Sequence, residues 1–291
     1  MYEQVKSVFN DLPQYDYEHI FIDNASKDWT VSILKEIAKN DRKVKIIVNN
    51  RNFGAIRSGH HALLQATGDA VISIVADLQD PPIMIKEFLR KWEEGYKIVI
   101  GVKTKSEESQ LLFAIRKAYY NLIGRLSEIE LIKNFTGFGL YDRQVMDTLR
   151  GIDDPYPYFR GLICDLGFER AVIEYVQPSR KRGFTKNNFY TLYDMAMLGI
   201  TNHSKVPLRL ATMTGFIVAL MSLLVALGYF GYKLIFWKNF QVGMAPLVIG
   251  LFFFASVQLI FIGIIGEYIG AIHTQVLKRP LVIEKERINF D

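Results

Sequence analysis

Short apolar runs alternate with helical patterns along residues 17–176. The predicted strands lie at residues 17–23, 44–48, 69–77 and 96–102. Between them, apolar side chains recur at helical spacing, as at Val31, Leu34 and Ala38. Strands that alternate with helices predict right-handed βαβ units, and therefore an α/β fold with a mostly parallel, doubly wound sheet. The run 69–77 is apolar at nearly every position, which predicts a central strand buried on both faces.

The C-terminal third of the chain has a different pattern. No Asp, Glu, Lys, Arg or His interrupts residues 210–232 or 241–266. A helix of about 20 apolar residues can cross the hydrocarbon core of a bilayer, so the sequence predicts a hairpin of two transmembrane helices. Two buried helices of a soluble protein are the alternative, which two such long runs disfavour. Lys and Arg residues gather outside both spans, so the positive-inside rule predicts an inner (plasma) membrane protein whose termini and N-terminal domain are cytoplasmic.

A helical pattern also precedes the first span. Apolar side chains recur at Phe189, Leu192, Ala196 and Ile200, just after a basic segment. This pattern predicts a helix that lies in the lipid interface or one that packs on the N-terminal domain, and the sequence favours neither. The predicted parts of the chain are the N-terminal domain (1–178), the basic loop with the amphipathic helix (179–208), the two spans (209–273) and a cytoplasmic tail (274–291).

The charge balance points to an anionic partner. The chain has 35 Lys and Arg against 30 Asp and Glu, a formal net charge of +5. Nucleic acid, anionic lipid and a phosphorylated substrate all fit such a balance. Nucleic acid is disfavoured because no zinc-finger spacing or RNP-like aromatic motif is present. The single cysteine, Cys164, cannot form an internal disulfide, and no Cys/His cluster suggests zinc.

Polar residues follow each predicted strand. They are Asp23, Asn24 and Ser26 after the first strand, residues 49–54 after the second, residues 76–80 after the third and Lys103 after the fourth. Ligands of open α/β sheets bind outside the carboxyl ends of the strands, so these groups are expected to converge on one rim. Carboxylates and cations together suit a phosphate held with a divalent cation.

These loops and the two spans resemble glycosyltransferase family 2, and within it the polyprenyl-phosphate hexose synthases. The resemblance rests on IFIDNAS (20–26), NNRNFG (49–54) with Gly59, ADLQDPP (76–82), IVIGVK (98–103), RKRGFTK (180–186), VPLR (206–209) and GEYIG (266–270). It covers essentially the whole chain. It implies a GT-A nucleotide-sugar fold and the inverting transfer of a hexose from a UDP- or GDP-linked donor to a polyprenyl phosphate in the membrane.

The resemblance also implies a metal site. Asp77 matches the last Asp of the DxD signature and Gln79 matches a second metal position, so the pair is expected to hold Mg²⁺ or Mn²⁺. Asp77 is thereby a catalytic residue. Asp80 is assigned to the catalytic set as a group that orients the metal site. The alternative for Asp80 is an N-cap on the helix that Pro81 and Pro82 open.

Donor and acceptor roles follow from the same resemblance. Asp23 matches the acidic position that contacts the nucleoside, and Asn24, Ser26 and Asp77 join it as donor-binding residues. The cations assigned to the acceptor phosphate are Lys103, Arg116, Lys117, Arg180 and Lys186. Each of these cations alone could be a solvated surface charge. As a group they suit an anionic acceptor anchored in a bilayer.

Three features depart from the family pattern. The family's first strand, which would lie inside the sheet, is missing from this chain. Val75 stands where the first Asp of DxD is expected, and residues 136–141 lack an Asp often proposed as catalytic. An acceptor phosphate is already an anionic nucleophile, so the loss of a general base is tolerable. A catalytically impaired membrane scaffold and a polysaccharide-extending transferase are the alternatives, and a homo-oligomer is left open.

Overall fold

Strands and helices alternate in the N-terminal domain, as the apolar pattern predicts. The computed structural model describes residues 1–105, 132, 134–178, 189–236 and 244–290. The helices are α1 (Tyr2–Asn10), α2 (Thr30–Asn40), α3 (Ala55–Gln65), α4 (Ile85–Glu93), α5 (Arg143–Arg150), α6 (Phe159–Asp165), α7 (Phe189–His203), α8 (Val206–Ile235) and α9 (Met244–Val276). The strands are β1 (His19–Asp23), β2 (Val44–Asn49), β3 (Ala70–Ser73), β4 (Ile98–Lys105), β5 (Phe135–Asp142), β6 (Arg170–Val176) and β7 (Glu284–Ile288).

The described strands form two sheets of mixed direction. Their orders are β1-β2-β7 and β3-β5-β4-β6. β1 and β2 are parallel, as are β4 and β6, whereas β5 is antiparallel to both of its neighbours. β7 is antiparallel to β2. The α/β class is confirmed, but the mostly parallel sheet is corrected, because β5 and β7 run antiparallel to the strands beside them.

Helices cover both faces of the larger sheet. Val5 and Val8 of α1 and Phe88 of α4 pack with Val99 and Leu140 in one cluster of buried residues. A second cluster of buried residues lies on the opposite face, where residues of β3, β4 and β5 pack against α5 and α6. β5 lies so close to β4 that a Cβ on Gly139 would be 2.4 Å from the carbonyl oxygen of Val99. Glycine is therefore required at this point of the strand pair.

A cleft separates the two sheets. It has a volume of about 550 Å³ and is lined by four consecutive residues of β1 (19–22) and by all of β3 (70–73). Side chains of a strand alternate between two faces, so consecutive residues on one cavity mean that the strand edges face it. Among the described pairings, β1 bonds only to β2 and β3 only to β5. The prediction that β3 is buried on both faces is wrong, since only Val71 of this strand is buried.

The C-terminal residues are part of the fold. The segment 274–291 was expected to be a tail, but β7 adds an antiparallel strand to β2, with Ile46 opposite Ile288 and Asn49 opposite Glu284. The reason the sequence conceals this strand is its charge, since four of its five residues are charged. Charged side chains are typical of edge strands, where they discourage pairing with other chains.

Two long apolar helices follow the N-terminal domain. The most apolar 18-residue stretches of α8 and of residues 247–276 of α9 have mean hydropathies of 2.3 and 2.6, and both stretches are unburied. Both are long and apolar enough to cross a membrane. α7 forms where the helical pattern predicted it, and its Tyr193 hydroxyl donates to Glu267 of α9 (2.8 Å). Its place in the lipid interface stays a prediction.

Candidate active site

The loops after β1 and β2 are joined through one asparagine. The side-chain oxygen of Asn24 accepts from the backbone N–H of Phe53 (2.8 Å), the hydroxyl of Ser58 (2.9 Å) and Asn49 Nδ2 (3.2 Å). Its amide nitrogen donates to Asn52 Oδ1 (2.9 Å). Asn24 therefore shapes the loop that follows β2. Its assignment to the donor stays a proposal.

Asp23 ends β1 inside a tight turn. Its carboxylate is buried and accepts from the backbone N–H of Ser26 (2.9 Å). Ala25 between them has a positive φ of 62°, a conformation that this side-chain-to-backbone bond helps to hold. Asp23, Asn24 and Ser26 thus occupy one turn at the carboxyl end of β1, as the strand pattern predicted.

The loop after β3 places Asp77 and Gln79 on a second tight turn. The backbone N–H of Gln79 donates to Asp77 Oδ1 (3.1 Å), and Leu78 has a positive φ of 63°. Both side chains are half-buried. Within the described part of the chain, no three His, Cys, Asp or Glu side chains cluster as a metal site. A carboxylate and an amide oxygen still suit Mg²⁺, which usually takes few protein ligands and completes its shell with water and substrate phosphates.

Asp80 is a buried residue of the same loop, and its side chain bonds to the loop's backbone and to Tyr175. Its oxygens accept from the Tyr175 hydroxyl (2.9 Å) and the backbone N–H of Val75 (3.3 Å). The N-cap alternative is wrong, because no side chain caps the short helix that begins at Pro82. Burial raises the pKa of Asp80, whereas the bond from Tyr175 and the charge of Lys103 act against that rise. Asp80 thus positions the loop that carries Asp77.

Tyr175 is a residue of this site that the sequence did not reveal. It lies on β6 in an ordinary strand pattern, and only the fold brings its hydroxyl to Asp80. Burial is the main cause that raises the pKa of Tyr175, so the phenol stays protonated as the donor in this bond. An inward aromatic residue on a strand indicates core packing, which gives no signal of a polar partner.

Replacing Tyr175 with phenylalanine is expected to lower the melting temperature by about 5 °C, because a hydrogen bond to a buried carboxylate contributes about 2 kcal/mol. The loss of this donor raises the pKa of Asp80 further. A carboxyl whose folded-state pKa is raised loses stability as the pH rises through that value. The difference in melting temperature between the two proteins should therefore be larger at mildly alkaline pH than near pH 4, about the ordinary aspartate pKa. Thermal unfolding across this range measures it, and an equal difference at all pH values would contradict it.

The structure brings one of the predicted cations to this rim. Lys103 is close enough to Asp80 to act on its pKa. Arg116, Lys117, Arg180 and Lys186 lie outside the described residues.

Asp142, which follows the segment 136–141, is bonded within the fold. It caps α5 by accepting from the backbone N–H of Gln144 (2.9 Å) and also accepts from the Trp92 indole (2.7 Å).

The cleft between the sheets meets both loops. Asn24 at one side and Val75 and Ala76 at the other line the same cavity. The turn after β1 and the loop that carries Asp77 therefore face each other across the cleft. This arrangement can hold a ligand that carries several phosphate oxygens, with a carboxylate for a cation and a shaped backbone turn beside it.

Known proteins resemble this chain over nearly its full length. Residues 1–150 match glycosyl transferase family 2. The uncharacterized glycosyltransferase YkcC of Bacillus subtilis (strain 168) is 35% identical over 295 residues, which cover 100% of this chain and 90% of that protein. The bactoprenol glucosyl transferase of Shigella phage SfII is 34% identical over 279 residues, 96% of this chain and 90% of that protein.

Proposed function

The chain belongs to glycosyl transferase family 2, and we propose that it transfers a hexose, with inversion, from a nucleotide sugar to a polyprenyl phosphate at the cytoplasmic membrane face. One observation carries the proposal: the similarity to a bactoprenol glucosyl transferase extends through the long C-terminal helices as well as the N-terminal domain. Bactoprenol is a polyprenyl lipid, and an enzyme that uses such an acceptor benefits from its own membrane anchor.

The donor is assigned to the turn after β1 and the loop after β3. Asp23 would contact the nucleoside, with Asn24 and Ser26 shaping the turn beside it. This assignment is supported by the cleft, which places these turns opposite the loop of Asp77. The donor is a UDP- or GDP-linked hexose.

Asp77 and Gln79 are the residues that would hold Mg²⁺ or Mn²⁺. When bound, such an ion neutralises part of the negative charge on the departing nucleotide diphosphate. Asp80 keeps the loop in place through its bonds to Tyr175 and Val75. Val75 cannot serve as a ligand, so the protein would contribute few ligands here.

The acceptor reacts through its own charge. A phosphate oxygen of the lipid attacks the anomeric carbon as the bond from that carbon to the diphosphate oxygen breaks, which inverts the configuration. The anionic oxygen needs no strong general base. Lys103, Arg116, Lys117, Arg180 and Lys186 are assigned to the acceptor phosphate, whose charge must approach a second anion.

The topology supports the cytoplasmic assignment of the site. Two spans return the chain to the side from which it entered, and β7 after the second span pairs with β2 of the N-terminal domain. Both ends of the chain therefore belong on one side. The Lys and Arg residues outside the spans favour the cytoplasm as that side.

Product formation in proteoliposomes tests the proposal. Purified protein is supplied with a radiolabelled nucleotide hexose and a polyprenyl phosphate, and the lipid fraction is analysed for a single added sugar. One hexose per lipid supports the proposal. Lipids that carry chains of sugars would favour the polysaccharide-extending alternative. If the donor is neither bound nor consumed, the result would favour the membrane scaffold. The presence of Val75 where a metal ligand is expected supports that alternative.

Replacing Arg180 and Lys186 together with glutamine is expected to raise the KM for the lipid acceptor about thirtyfold while the donor KM is unchanged. The reason is that each cation near lipid phosphate contributes on the order of 1 kcal/mol of attraction. Steady-state kinetics in proteoliposomes measures both constants. The matched control replaces Lys39 and Arg90, two exposed cations on helices of the N-terminal domain, with glutamine. If neither KM moves and only membrane insertion falls, the two cations are topological signals.

A further inference from the structure

The C-terminal helix continues well beyond its apolar run. The charge-free stretch ends at Gly266, whereas α9 ends at Val276. Ten further residues of helix extend about 15 Å. This extension begins with Glu267, which accepts from Tyr193 of α7 (2.8 Å), and the Tyr268 hydroxyl donates to the carbonyl of Ser204 (2.7 Å). The extension is therefore held by the helix that precedes the first span.

The far end of α9 contacts the N-terminal domain directly. Gln275 Nε2 donates to Asp154 Oδ1 (2.8 Å), in the loop between α5 and α6, and Lys278 pairs with Asp153 (3.2 Å). The segment 277–283 then crosses to α3, where Arg57 donates to the carbonyl of Pro280. These contacts restrict the movement of α9 relative to the N-terminal domain.

β7 completes the attachment. The backbone N–H of Asn50, at the start of the loop 49–54, donates to the carbonyl of Ile283 (2.9 Å). On the strand itself, Glu284 pairs with His61 (2.6 Å) and Glu286 with Lys35 (2.6 Å). Asn289 Nδ2 donates to the carbonyls of Ala38 and Val44 at 2.9 and 2.8 Å. The strand is thus bonded to α2, α3 and β2, the elements that carry one side of the candidate site.

We infer that residues 267–290 form a strut of fixed length that holds the active-site rim at a set height and tilt above the bilayer. The inference rests on the proposed lipid acceptor. The phosphate of a polyprenyl lipid lies at the membrane surface and cannot leave it freely. Reacting atoms must approach within about 3–3.5 Å, and a misplacement of about 1 Å can cost up to a hundredfold in rate. A flexible attachment would not hold the site at the distance from the membrane that this approach requires.

Lengthening the strut is the test. Four residues, Gly-Ser-Gly-Ser, are inserted between Leu277 and Lys278, and transfer is measured with two acceptors. One is a full-length polyprenyl phosphate in proteoliposomes, and the other is a short-chain, water-soluble analogue. We expect the rate with the membrane acceptor to fall tenfold or more and the rate with the soluble acceptor to stay within twofold. The matched control places the same four residues after Gly167, in the turn between α6 and β6, which is an edge strand of the other, larger sheet.

Each outcome decides the inference. Equal losses with both acceptors would overturn it, because the insertion would then act on the site itself. Unchanged rates with both acceptors would also overturn it. If four residues cost stability, a single glycine at the same point replaces them, and the same selective loss, smaller in size, is expected. The wild-type protein separates this result from the proposed function, which fails if the wild type uses neither acceptor.

Discussion

Replacing Asp77 with asparagine is expected to lower the rate of sugar transfer about a hundredfold or more, while expression, membrane insertion and melting temperature stay unchanged. The side chain is half-buried at the rim, so the loss of its charge costs the fold little. The asparagine keeps an oxygen that can accept from the N–H of Gln79 and preserve the turn. What it removes is the negative charge that a divalent cation requires. Initial rates over a series of Mg²⁺ and Mn²⁺ concentrations measure the effect.

The same change at Asp69 serves as the control. Asp69 is exposed and lies at the other end of β3, away from the rim. Asp69→Asn should retain wild-type activity. If Asp77→Asn reaches the wild-type rate at saturating Mg²⁺ or Mn²⁺, Asp77 is not a metal ligand and the metal assignment falls with it.

Much of the fold can be predicted from local patterns. Val31, Leu34 and Ala38 indicate α2, and the charge-free runs indicate α8 and α9, because each signal lies within a few turns of one element. The GT-A class follows from the family. The mixed sheet direction could not be predicted in this way. β5 inserts between β3 and β4 through contacts between distant segments, and a strand's own sequence does not state its direction.

The sequence predicts the positions of the site's loops better than the roles of their side chains. Asp23 ends β1, as the pattern required, whereas Asp77 lies in the loop after β3, because that strand ends at Ser73 and not at residue 77 as predicted. The bond from Tyr175 to Asp80 joins residues 95 positions apart, and no periodicity in the chain encodes it. The pairing of β7 was hidden for a similar reason. In the sequence alone, Glu284 and Glu286 resemble solvated charges of a tail. In the structure they pair with His61 and Lys35.

The cleft between β1 and β3 also has the form of a strand position inside a sheet. Edges of β1 and β3 line it from two sides, Val5 and Phe9 of α1 cover it, and Leu63 of α3 lies beneath. α1 also reaches the loop of Asp77, since Gln4, Ser7 and Val8 share a small surface pocket with Leu78. A strand that runs parallel to β1 between the two sheets could lead through a short loop into α1 as a right-handed βαβ unit.

An apolar strand of six residues, joined to Met1 by a short polar loop, is accordingly expected to raise both stability and donor affinity. Filling an interior strand position pairs open backbone groups and buries apolar surface, which should stabilise by a few kcal/mol, or about 5–10 °C in melting temperature. Donor affinity should rise about tenfold, because the strand would end beside Asn24 and Val75 and order both loops. Thermal unfolding, nucleotide-sugar titration and hydrogen exchange of residues 19–23 and 70–73 measure these effects.

The control carries proline at the third strand position, which removes a backbone donor that an interior strand needs. The cleft does not accept a strand if the two extended proteins protect the same amides and have the same melting temperature. The same conclusion follows if the chain without an extension binds the donor as tightly as the extended chain does.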